Sequence, residues 1–177
     1  MQNKLSNDTY QPAEDTYFLE DHIKNEKGDA ALDIGSGSGY LTKSLSKSFR
    51  FVVGTDVNFE ALQNQSRKPE NLVCCNGADA LQNKFDLIIC NRPYLTSEEI
   101  SDVAIDGGPE GVVIPMKIIK SAKNCIKQGG KFLFVSSSLS NYEKLAELTR
   151  KEGFDVEITA KKKLFFEELI LIEAKLL

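Results

Sequence analysis

The chain has 177 residues and a formal net charge of −4, from 26 acidic and 22 basic side chains. This length suits one domain with a real core, and the acidic balance argues against a general nucleic-acid binder, which needs a basic surface. No apolar run approaches the roughly 20 residues that span a bilayer, and the polar first residues lack the apolar stretch of a signal peptide. We therefore expect a cytoplasmic protein without a membrane partner.

Helical and extended patterns alternate along the chain. The spacing of apolar residues predicts helices over 14–24, 40–48, 58–67, 112–127 and 141–151. It predicts strands over 30–34, 51–55, 72–75, 85–90, 131–135, 154–159 and 164–174. Strands that alternate with helices indicate a mostly parallel sheet covered on both faces. The short lysine turn at 161–163 predicts that the last two strands form an antiparallel hairpin.

The four cysteines, Cys74, Cys75, Cys90 and Cys125, form no C-x-x-C pair, and the chain has a single histidine. Most of them lie in apolar runs. This pattern predicts reduced core thiols, with neither a disulfide nor a metal site.

A glycine-rich turn follows the first predicted strand. Gly35, Gly37 and Gly39 let the backbone approach a ligand closely, and the helix N-terminus behind them favours a carboxylate or phosphate. The dinucleotide fingerprint G-x-G-x-x-G is a rival interpretation, but Tyr40 occupies the position of its third glycine. A simple tight turn is the other alternative.

Acidic residues end the first three predicted strands. Asp56 lies 21 residues after Gly35, where a carboxylate can accept hydrogen bonds from both hydroxyls of a ribose; capping of the next helix is the alternative. Asp79, after the third strand, is placed to meet an adenine edge, or is an ordinary turn aspartate. With Asp33, these residues predict a site for an adenosine-bearing cofactor.

The second informative stretch is Asn91–Tyr94, which follows the apolar strand 85–90. An amide, a proline and an aromatic residue are poor core material, but they suit the lip of a site, because ligands on open α/β sheets bind beyond the carboxyl ends of strands. A strand-end cap is the alternative role for Asn91.

Three motifs resemble those of a known family. The stretch 33–39, D-I-G-S-G-S-G, resembles the S-adenosylmethionine loop of class I methyltransferases, and 91–94, N-R-P-Y, resembles the N-P-P-Y signature of enzymes that methylate planar amide or amine nitrogens. The stretch 12–16, P-A-E-D-T, is similar to the P-x-E-D-T opening of the HemK/PrmC group. The chain has no counterpart of the helical N-terminal domain of bacterial members, which favours the short archaeal and eukaryotic branch.

Members of that branch methylate the glutamine of the Gly-Gly-Gln motif in class I release factors. The resemblance implies a Rossmann-like doubly wound, mostly parallel seven-stranded sheet with a C-terminal antiparallel hairpin. It implies one class I methyltransferase domain over 1–177, in which 1–29 form an arm and a helix. It also implies a small zinc-binding activator subunit, for which we expect the strand at 72–75 to be the docking edge.

The resemblance also implies site residues. S-adenosylmethionine would be held by residues on four strand ends and the N-terminal helix: Thr16, Asp33, Gly35, Gly37, Asp56, Val57, Asp79, Ala80 and Asn91. The catalytic residues would be Asn91, Arg92, Pro93 and Tyr94. The Asn91 side-chain oxygen and the carbonyl of residue 92 would accept the two N–H groups of the substrate amide. Since the sulfonium is already a good leaving group, the chemistry requires positioning and no strong base.

One position departs from the family pattern. Arg92 stands where the signature has its first proline, so the backbone carbonyl is kept but the fixed φ and the stiffness of proline are lost. We expect cofactor binding to persist and methyl transfer to be weakened or redirected. The alternatives are an N6-adenine nucleic-acid methyltransferase, which must flip its base, a protein-lysine methyltransferase, and a catalytically weakened cofactor-binding subunit.

Overall fold

The computed structural model describes residues 11–65, 71–82, 84–91, 95–96 and 106–177. Within these ranges the α-helices are α1 (Glu14–Ile23), α2 (Tyr40–Leu45), α3 (Phe59–Gln63), α4 (Val113–Lys123) and α5 (Tyr142–Lys151). The strands are β1 (Gly28–Ile34), β2 (Phe49–Asp56), β3 (Leu72–Cys74), β4 (Phe85–Cys90), β5 (Leu95–Thr96), β6 (Asp106–Gly108), β7 (Ile126–Ser137), β8 (Phe154–Lys163) and β9 (Glu168–Leu176). A short 3₁₀ turn, Pro109–Gly111, precedes α4.

Seven strands form one sheet in the order β3-β2-β1-β4-β7-β9-β8. The first five pair in parallel, whereas β9 is antiparallel to both β7 and β8. The predicted Rossmann-like, mostly parallel sheet with a closing antiparallel hairpin is therefore confirmed. The separate two-stranded pairing of β5 with β6 lies in the glycine-rich connection between β4 and α4.

Apolar side chains cover both faces of the sheet. Successive strand residues point to opposite faces, so Leu32 and Ile88 belong to one core cluster and Ala31 and Leu87 to the other. Helices α4 and α5 complete the first cluster, and α1 and α2 the second. This two-sided burial explains why the central strands are nearly continuous apolar runs.

Strand register brings the informative turns together. Ile34 pairs with Thr55 on one side and with Cys90 on the other, and Asp56 pairs with Cys74. The segments that follow β1 to β4 therefore meet at one edge of the sheet, which we call the carboxyl edge. Neighbouring strands at this edge lie about 5 Å apart.

Several predicted boundaries are wrong, and strand pairing explains the two largest groups of errors. The helix predicted to reach residue 127 ends at Lys123, and the glycines expected to stop it lie inside β7, which begins at Ile126. The β4–β7 register shifts at this point, and Gly129 has a φ of 72°. A bulge of this kind accommodates the extra residues that the strand pairing leaves over. Likewise, 161–163 is strand and not turn, because these lysines pair with β9; the turn is at 164–167.

The cysteine prediction holds only in part. Cys90 and Cys125 are buried, Cys75 is half-buried, and all four thiols are free. Cys74 is exposed, contrary to the prediction of a core thiol, because β3 is the outermost strand of the sheet that the described residues form.

In the described ranges, no group of three metal-ligating side chains comes together. None of the helices in those ranges has the length and apolar character needed to cross a membrane.

Candidate active site

The glycine-rich turn forms an open cradle at the end of β1. The N–H groups of Gly35 and Ser36 both donate to the Thr55 carbonyl at 2.8 Å. Gly35 and Gly37 have φ values of 75° and 48°, which are strained for residues with a side chain. A Cβ on Gly35 would meet nothing within 4 Å, and one on Gly37 would meet only the Gly35 carbonyl at 3.9 Å. The space over this turn is therefore free for a ligand.

Asp56 joins the end of β2 to this cradle. Its Oδ2 accepts from the Gly37 N–H at 2.9 Å, and its Oδ1 accepts from the Asn58 N–H at 2.8 Å. Each carboxylate oxygen keeps a further lone pair, and the residue is only partly buried. Val57, beside it, is 49% exposed, and an exposed apolar side chain next to a carboxylate can support the flat face of a base above a ribose.

The predicted adenine residues lie in the turn after β3. Asp79 and Ala80 are both exposed, and the Asp79 N–H donates to the Asn76 carbonyl at 3.1 Å. The Thr55 hydroxyl donates to the Gly77 carbonyl at 2.8 Å. This bond holds the turn at the carboxyl edge, beside the strand that carries Asp56.

Asp33 lies behind the cradle. The side chain is buried, and its Oδ2 accepts a hydrogen bond from the Thr42 hydroxyl at 2.6 Å. Burial raises the pKa of the Asp33 carboxyl to about 7, since the hydrogen bond from Thr42 lowers it by less and the nearby charge of Asp56 raises it further. The contact positions the start of α2 behind the glycine turn.

Gln65 has a role in the site that no sequence motif indicates. Its Nε2 donates to the Gly37 carbonyl at 2.9 Å and to the Ser36 hydroxyl at 3.2 Å, so this side chain ties the end of the α3 segment to the cradle. Gly39 has a φ of 78°, which favours glycine, and a Cβ there would also lie 2.5 Å from the end of the Gln65 side chain. A glutamine just after a short helix is typically exposed, and nothing local marks this one as buried.

Tyr40 links the cradle to the N-terminal helix. Its hydroxyl donates to Glu20 on α1 at 2.7 Å, and this bond raises the pKa of Tyr40 to about 12. The other Glu20 oxygen accepts from the Ser44 hydroxyl at 2.8 Å. A dinucleotide loop has a glycine at the Tyr40 position for close helix packing, whereas here a bulky side chain anchors α1. The dinucleotide alternative is therefore disfavoured.

Asn91, at the end of β4, is held by the start of α1. Its Nδ2 donates to the Thr16 hydroxyl oxygen at 3.1 Å, and the Thr16 hydroxyl donates to Asp15 Oδ1 at 3.3 Å. All three side chains are buried. Because the single hydroxyl proton of Thr16 is directed to Asp15, Thr16 acts as an acceptor towards Asn91. This arrangement turns the amide nitrogen of Asn91 towards Thr16 and its oxygen away.

Two buried side-chain oxygens of the described residues lack a hydrogen-bond partner, Gln65 Oε1 behind the glycine loop and Asn91 Oδ1 at the end of β4. A buried acceptor left unpaired costs about 1–3 kcal/mol, and such groups are expected where a ligand completes the bonding. Asp15, which the sequence explains through the helix dipole alone, also belongs to this arrangement. The other predicted catalytic residues, Arg92, Pro93 and Tyr94, lie outside the described residues.

The site thus has two halves along the carboxyl edge. The glycine-loop half consists of Gly35, Gly37 and Asp56, and the asparagine half consists of Thr16 and Asn91. Two strand spacings separate the ends of β2 and β4, which corresponds to about 10 Å. This span suits an extended ligand bound over the glycine loop, with its far end beside Asn91.

Comparison with known proteins identifies related chains. The family model of the methyltransferase small domain matches residues 11–166. A protein of Methanocaldococcus jannaschii, whose name marks it provisionally as a protein N5-glutamine methyltransferase, is 33% identical, with 97% of this chain and 93% of the relative covered. The eRF1 methyltransferase catalytic subunit Mtq2 of Schizosaccharomyces pombe is 25% identical, with 93% and 88% covered.

A solved structure shows the same fold. The Mtq2–Trm112 complex of E. cuniculi, described as responsible for the methylation of the translation termination factor eRF1, contains a chain that superimposes with a TM-score of 0.82. The two chains are 24% identical, and the match covers 95% of this chain and 98% of the other. The fold is that of class I Rossmann-like methyltransferases.

Proposed function

Because the chain belongs to the methyltransferase small domain family, we propose that it methylates the glutamine of the Gly-Gly-Gln motif in a class I peptide chain release factor. The methyl donor is S-adenosylmethionine, and the side-chain amide nitrogen is the acceptor. The observation that carries the proposal is the buried Oδ1 of Asn91 near the glycine loop, which has no hydrogen-bond partner within the described ranges. The names of the relatives from Methanocaldococcus jannaschii and Schizosaccharomyces pombe support the same acceptor.

The glycine-loop half fits the donor. Open space over Gly35 and Gly37 accommodates the methionine part, and the free lone pairs of Asp56 suit the ribose hydroxyls. Val57, Asp79 and Ala80 would surround the adenine, while Asp33 supports the loop from behind. When bound, S-adenosylmethionine supplies an electrophilic methyl carbon on a sulfur that leaves as a neutral thioether.

The asparagine half fits a glutamine amide. An amide nitrogen is a weak nucleophile because its lone pair is delocalised into the carbonyl group. Asn91 Oδ1 accepts one of its N–H groups, and the carbonyl of residue 92 is proposed to accept the other. Two acceptors orient the nitrogen and favour the pyramidal form that attacks carbon, so the contribution of the chain is positioning. As the N–C bond forms and the C–S bond breaks, the nitrogen loses one of its two protons, which is released to water. Tyr94 is proposed to pack against the planar amide.

Asp15 and Thr16 set the direction of the Asn91 amide. If the Asn91 amide rotated by half a turn, its NH₂ group would face the N–H groups of the substrate, and neither would have an acceptor. The hydrogen bond from Asn91 Nδ2 to Thr16 disfavours this orientation, and the bond from Thr16 to Asp15 directs the hydroxyl proton away from Asn91. Thr16 therefore acts on the acceptor side as well as near the donor.

The outer edge of β3 is the proposed dock for a small activator subunit. Leu72–Cys74 pairs with β2 on one side, and its place at the end of the strand order leaves the other side for a further strand. The related Mtq2 forms a complex with Trm112. We propose that the corresponding subunit of this chain binds zinc. The proposal also takes residues 1–177 as one methyltransferase domain acting in the cytoplasm, where translation ends.

Transfer of a labelled methyl group from S-adenosylmethionine tests the proposal. The acceptors are an intact class I release factor and the same factor with its Gly-Gly-Gln glutamine changed to alanine, each assayed with and without the small subunit. Donor binding is measured on the same preparation. Label on the intact factor that vanishes with the glutamine is expected. Label on duplex DNA or on lysine side chains instead would assign the chain to another acceptor class.

An Arg92→Pro variant separates a weakened enzyme from a wrong assignment. If Arg92 weakens transfer, the variant should transfer faster than the natural chain with unchanged donor binding, because proline restores a rigid loop. Equal rates from both chains would show that Arg92 does not limit the reaction. Donor binding without label from either chain would favour a binding subunit without activity.

A further inference from the structure

Two neighbouring phenylalanines are exposed at the tip of the C-terminal hairpin. Phe165 and Phe166 are 91% and 85% exposed, and their rings pack edge to face with centroids 4.6 Å apart. Leu139, in the loop after β7, is 52% exposed. We call these three side chains the apolar rim patch. Clustered exposed apolar and aromatic side chains are typical of surfaces that bind another protein.

Hydrogen bonds fix the two loops that carry the patch. The Ser137 hydroxyl donates to Glu167 and accepts from the Leu139 N–H at 3.1 Å. The Ser138 N–H donates to the Glu168 carbonyl at 2.8 Å, and the Glu168 N–H donates to the Ser138 hydroxyl oxygen at 2.9 Å. The patch is therefore presented on a defined support.

The patch lies beyond the carboxyl edge, on the acceptor side of the site. Cys90 pairs with Phe134 in the β4–β7 register, and β7 continues past that pair to Ser137. At roughly 3.3 Å per residue, β7 extends about 10 Å further out than β4. Since Asn91 directly follows Cys90, the patch stands further from the sheet than the buried acceptor oxygen.

An ion pair connects the hairpin to the helix that holds Asn91. Lys162 Nζ on β8 lies 2.5 Å from Glu14 Oε2, and Glu14 is the first residue of α1. Thr16, two residues later, contacts the Asn91 amide. The hairpin therefore borders the mouth of the asparagine half. The proposed subunit edge, β3, is at the opposite end of the strand order.

The charges beside the patch favour an apolar protein partner. Lys162 pairs with Glu14, and Lys161 lies 3.6 Å from Glu168. Nucleic acids and anionic lipids are recognised by cations that are free to meet phosphates, whereas these two cations already have carboxylate partners. Lys163, the third lysine of this run, is exposed, but a single cation adds little to phosphate binding, which rests on many such contacts. The aromatic surface beside it suits an apolar face of a protein.

We propose that the apolar rim patch docks the methyl-accepting protein through an apolar surface beside the loop that carries the reacting glutamine. The inference rests on the proposed function, which makes the acceptor a folded protein. One side chain of that protein must reach the buried Asn91, so its neighbouring surface meets the rim of the site. Exposed aromatic residues there serve as anchors.

Steady-state kinetics with an intact release factor test the inference, with the small subunit present. The test variant is Phe165→Ser/Phe166→Ser, and Leu139→Ser is a second, milder one. The matched control is Ile158→Ser, which removes a 41% exposed apolar side chain from the same hairpin, away from its tip. We expect the double variant to raise the KM for the release factor about tenfold or more. The kcat at saturation, the KM for the donor and the control variant should be unchanged.

The possible results separate the two proposals. If the natural chain methylates the factor and the double variant has the same acceptor KM, the docking inference is wrong and the proposed function stands. If the natural chain transfers nothing to the intact factor, the proposed function is wrong and the inference is lost with it. A change only in self-association, measured by sedimentation, or only in binding to vesicles or nucleic acid would also overturn the inference.

Discussion

The two halves of the site differ in how their polar groups are satisfied. In the glycine-loop half, Asp56 accepts from two backbone N–H groups, and Gln65 donates to the loop from behind. In the asparagine half, Thr16 directs the Asn91 amide, but Asn91 Oδ1 has no partner in the part of the chain that the structure describes. Gln65 Oε1, beside Gly39, is likewise buried without a partner among the described residues. The two halves therefore differ in where the unpaired oxygen lies: behind the loop in one half, and at the end of β4 in the other.

The difference indicates that the two halves have separate roles, donor binding for the glycine-loop half and acceptor selection for the asparagine half. A loop held by its own hydrogen bonds can bind the donor without rearrangement, which lowers the entropic cost of binding. A buried acceptor without a partner gains a hydrogen bond when the correct amide arrives, so the asparagine half discriminates between acceptors. Substitutions in the glycine-loop half should therefore affect donor affinity, and those in the asparagine half should affect turnover.

The largest effect is expected for Asn91→Ala. Loss of the Oδ1 acceptor should lower kcat by about 10²–10³-fold, as for other preorganised groups that position reacting atoms. The dissociation constant for S-adenosylhomocysteine, measured by calorimetry, should rise by much less than kcat falls, because Asn91 is only one of the predicted donor-binding residues and most of the others lie in and around the glycine-loop half. A loss of donor affinity as large as the loss of kcat would contradict the assignment of donor binding to the glycine-loop half and of turnover to the asparagine half.

Asp56→Ala should show the reverse behaviour. Removing a carboxylate that binds ribose hydroxyls should weaken donor binding about 10–100-fold, which is the range for hydrogen bonds to charged groups. At saturating donor, kcat should largely recover. Titration of the donor in the transfer assay measures both quantities, and a low kcat that saturation does not restore would argue against this role.

A smaller loss is expected for Thr16→Val. Valine keeps the shape but removes the acceptor for Asn91 Nδ2, so part of the Asn91 population rotates to the wrong orientation. We expect kcat to fall about tenfold, the value of one neutral hydrogen bond. Thr16→Ser keeps the hydroxyl and should restore most of the rate. If the serine and valine variants behave alike, the hydroxyl does not direct Asn91.

The smallest effect concerns stability and Asp33. The pKa of this buried carboxyl is raised to about 7 in the folded chain, so the unfolded chain binds fewer protons between about pH 4 and pH 7. Stability therefore falls as the pH rises through this window. Asp33→Asn should remove that decline and raise the free energy of unfolding at pH 8 by about 1 kcal/mol.

The full Asp33 shift would correspond to roughly 4 kcal/mol at 1.36 kcal/mol per pKa unit. Asparagine recovers only part of this, because it accepts a weaker hydrogen bond from Thr42 than a carboxylate does. Urea unfolding of both chains at pH 5 and pH 8 measures the difference. A natural chain that gains stability from pH 5 to pH 8 relative to the variant would contradict the raised pKa.

Local signals predicted the positions of the main site elements. The glycine turn, the acid at the end of β2 and the amide at the end of β4 follow from short motifs, and parallel register then places them at one edge. Asparagine is a preferred N-cap residue, and Asn58 and Asn141 stand where two of the predicted helices begin. Their side chains accept from the Ala61 and Lys144 N–H groups. Such features depend on a few neighbouring residues.

Features that depend on distant partners were not predictable. Gln65 reaches the glycine loop across about 28 residues of chain, and β7 starts at Ile126 because it pairs with Phe85 on β4. Residues Lys161–Lys163 belong to strand β8, and not to a turn, because they pair with β9. In each case tertiary contacts override the local preference for an exposed glutamine, a glycine stop or a lysine turn.

Mass spectrometry of the methylated acceptor tests the central claim most directly. A class I release factor is incubated with the chain, its small subunit and S-adenosylmethionine, then digested, and the peptide that contains Gly-Gly-Gln is fragmented. The account predicts one added methyl group on the side-chain amide of that glutamine, and none when the chain carries Asn91→Ala. A methyl group on a lysine or on another residue of the factor, or equal methylation by the Asn91→Ala chain, would contradict it.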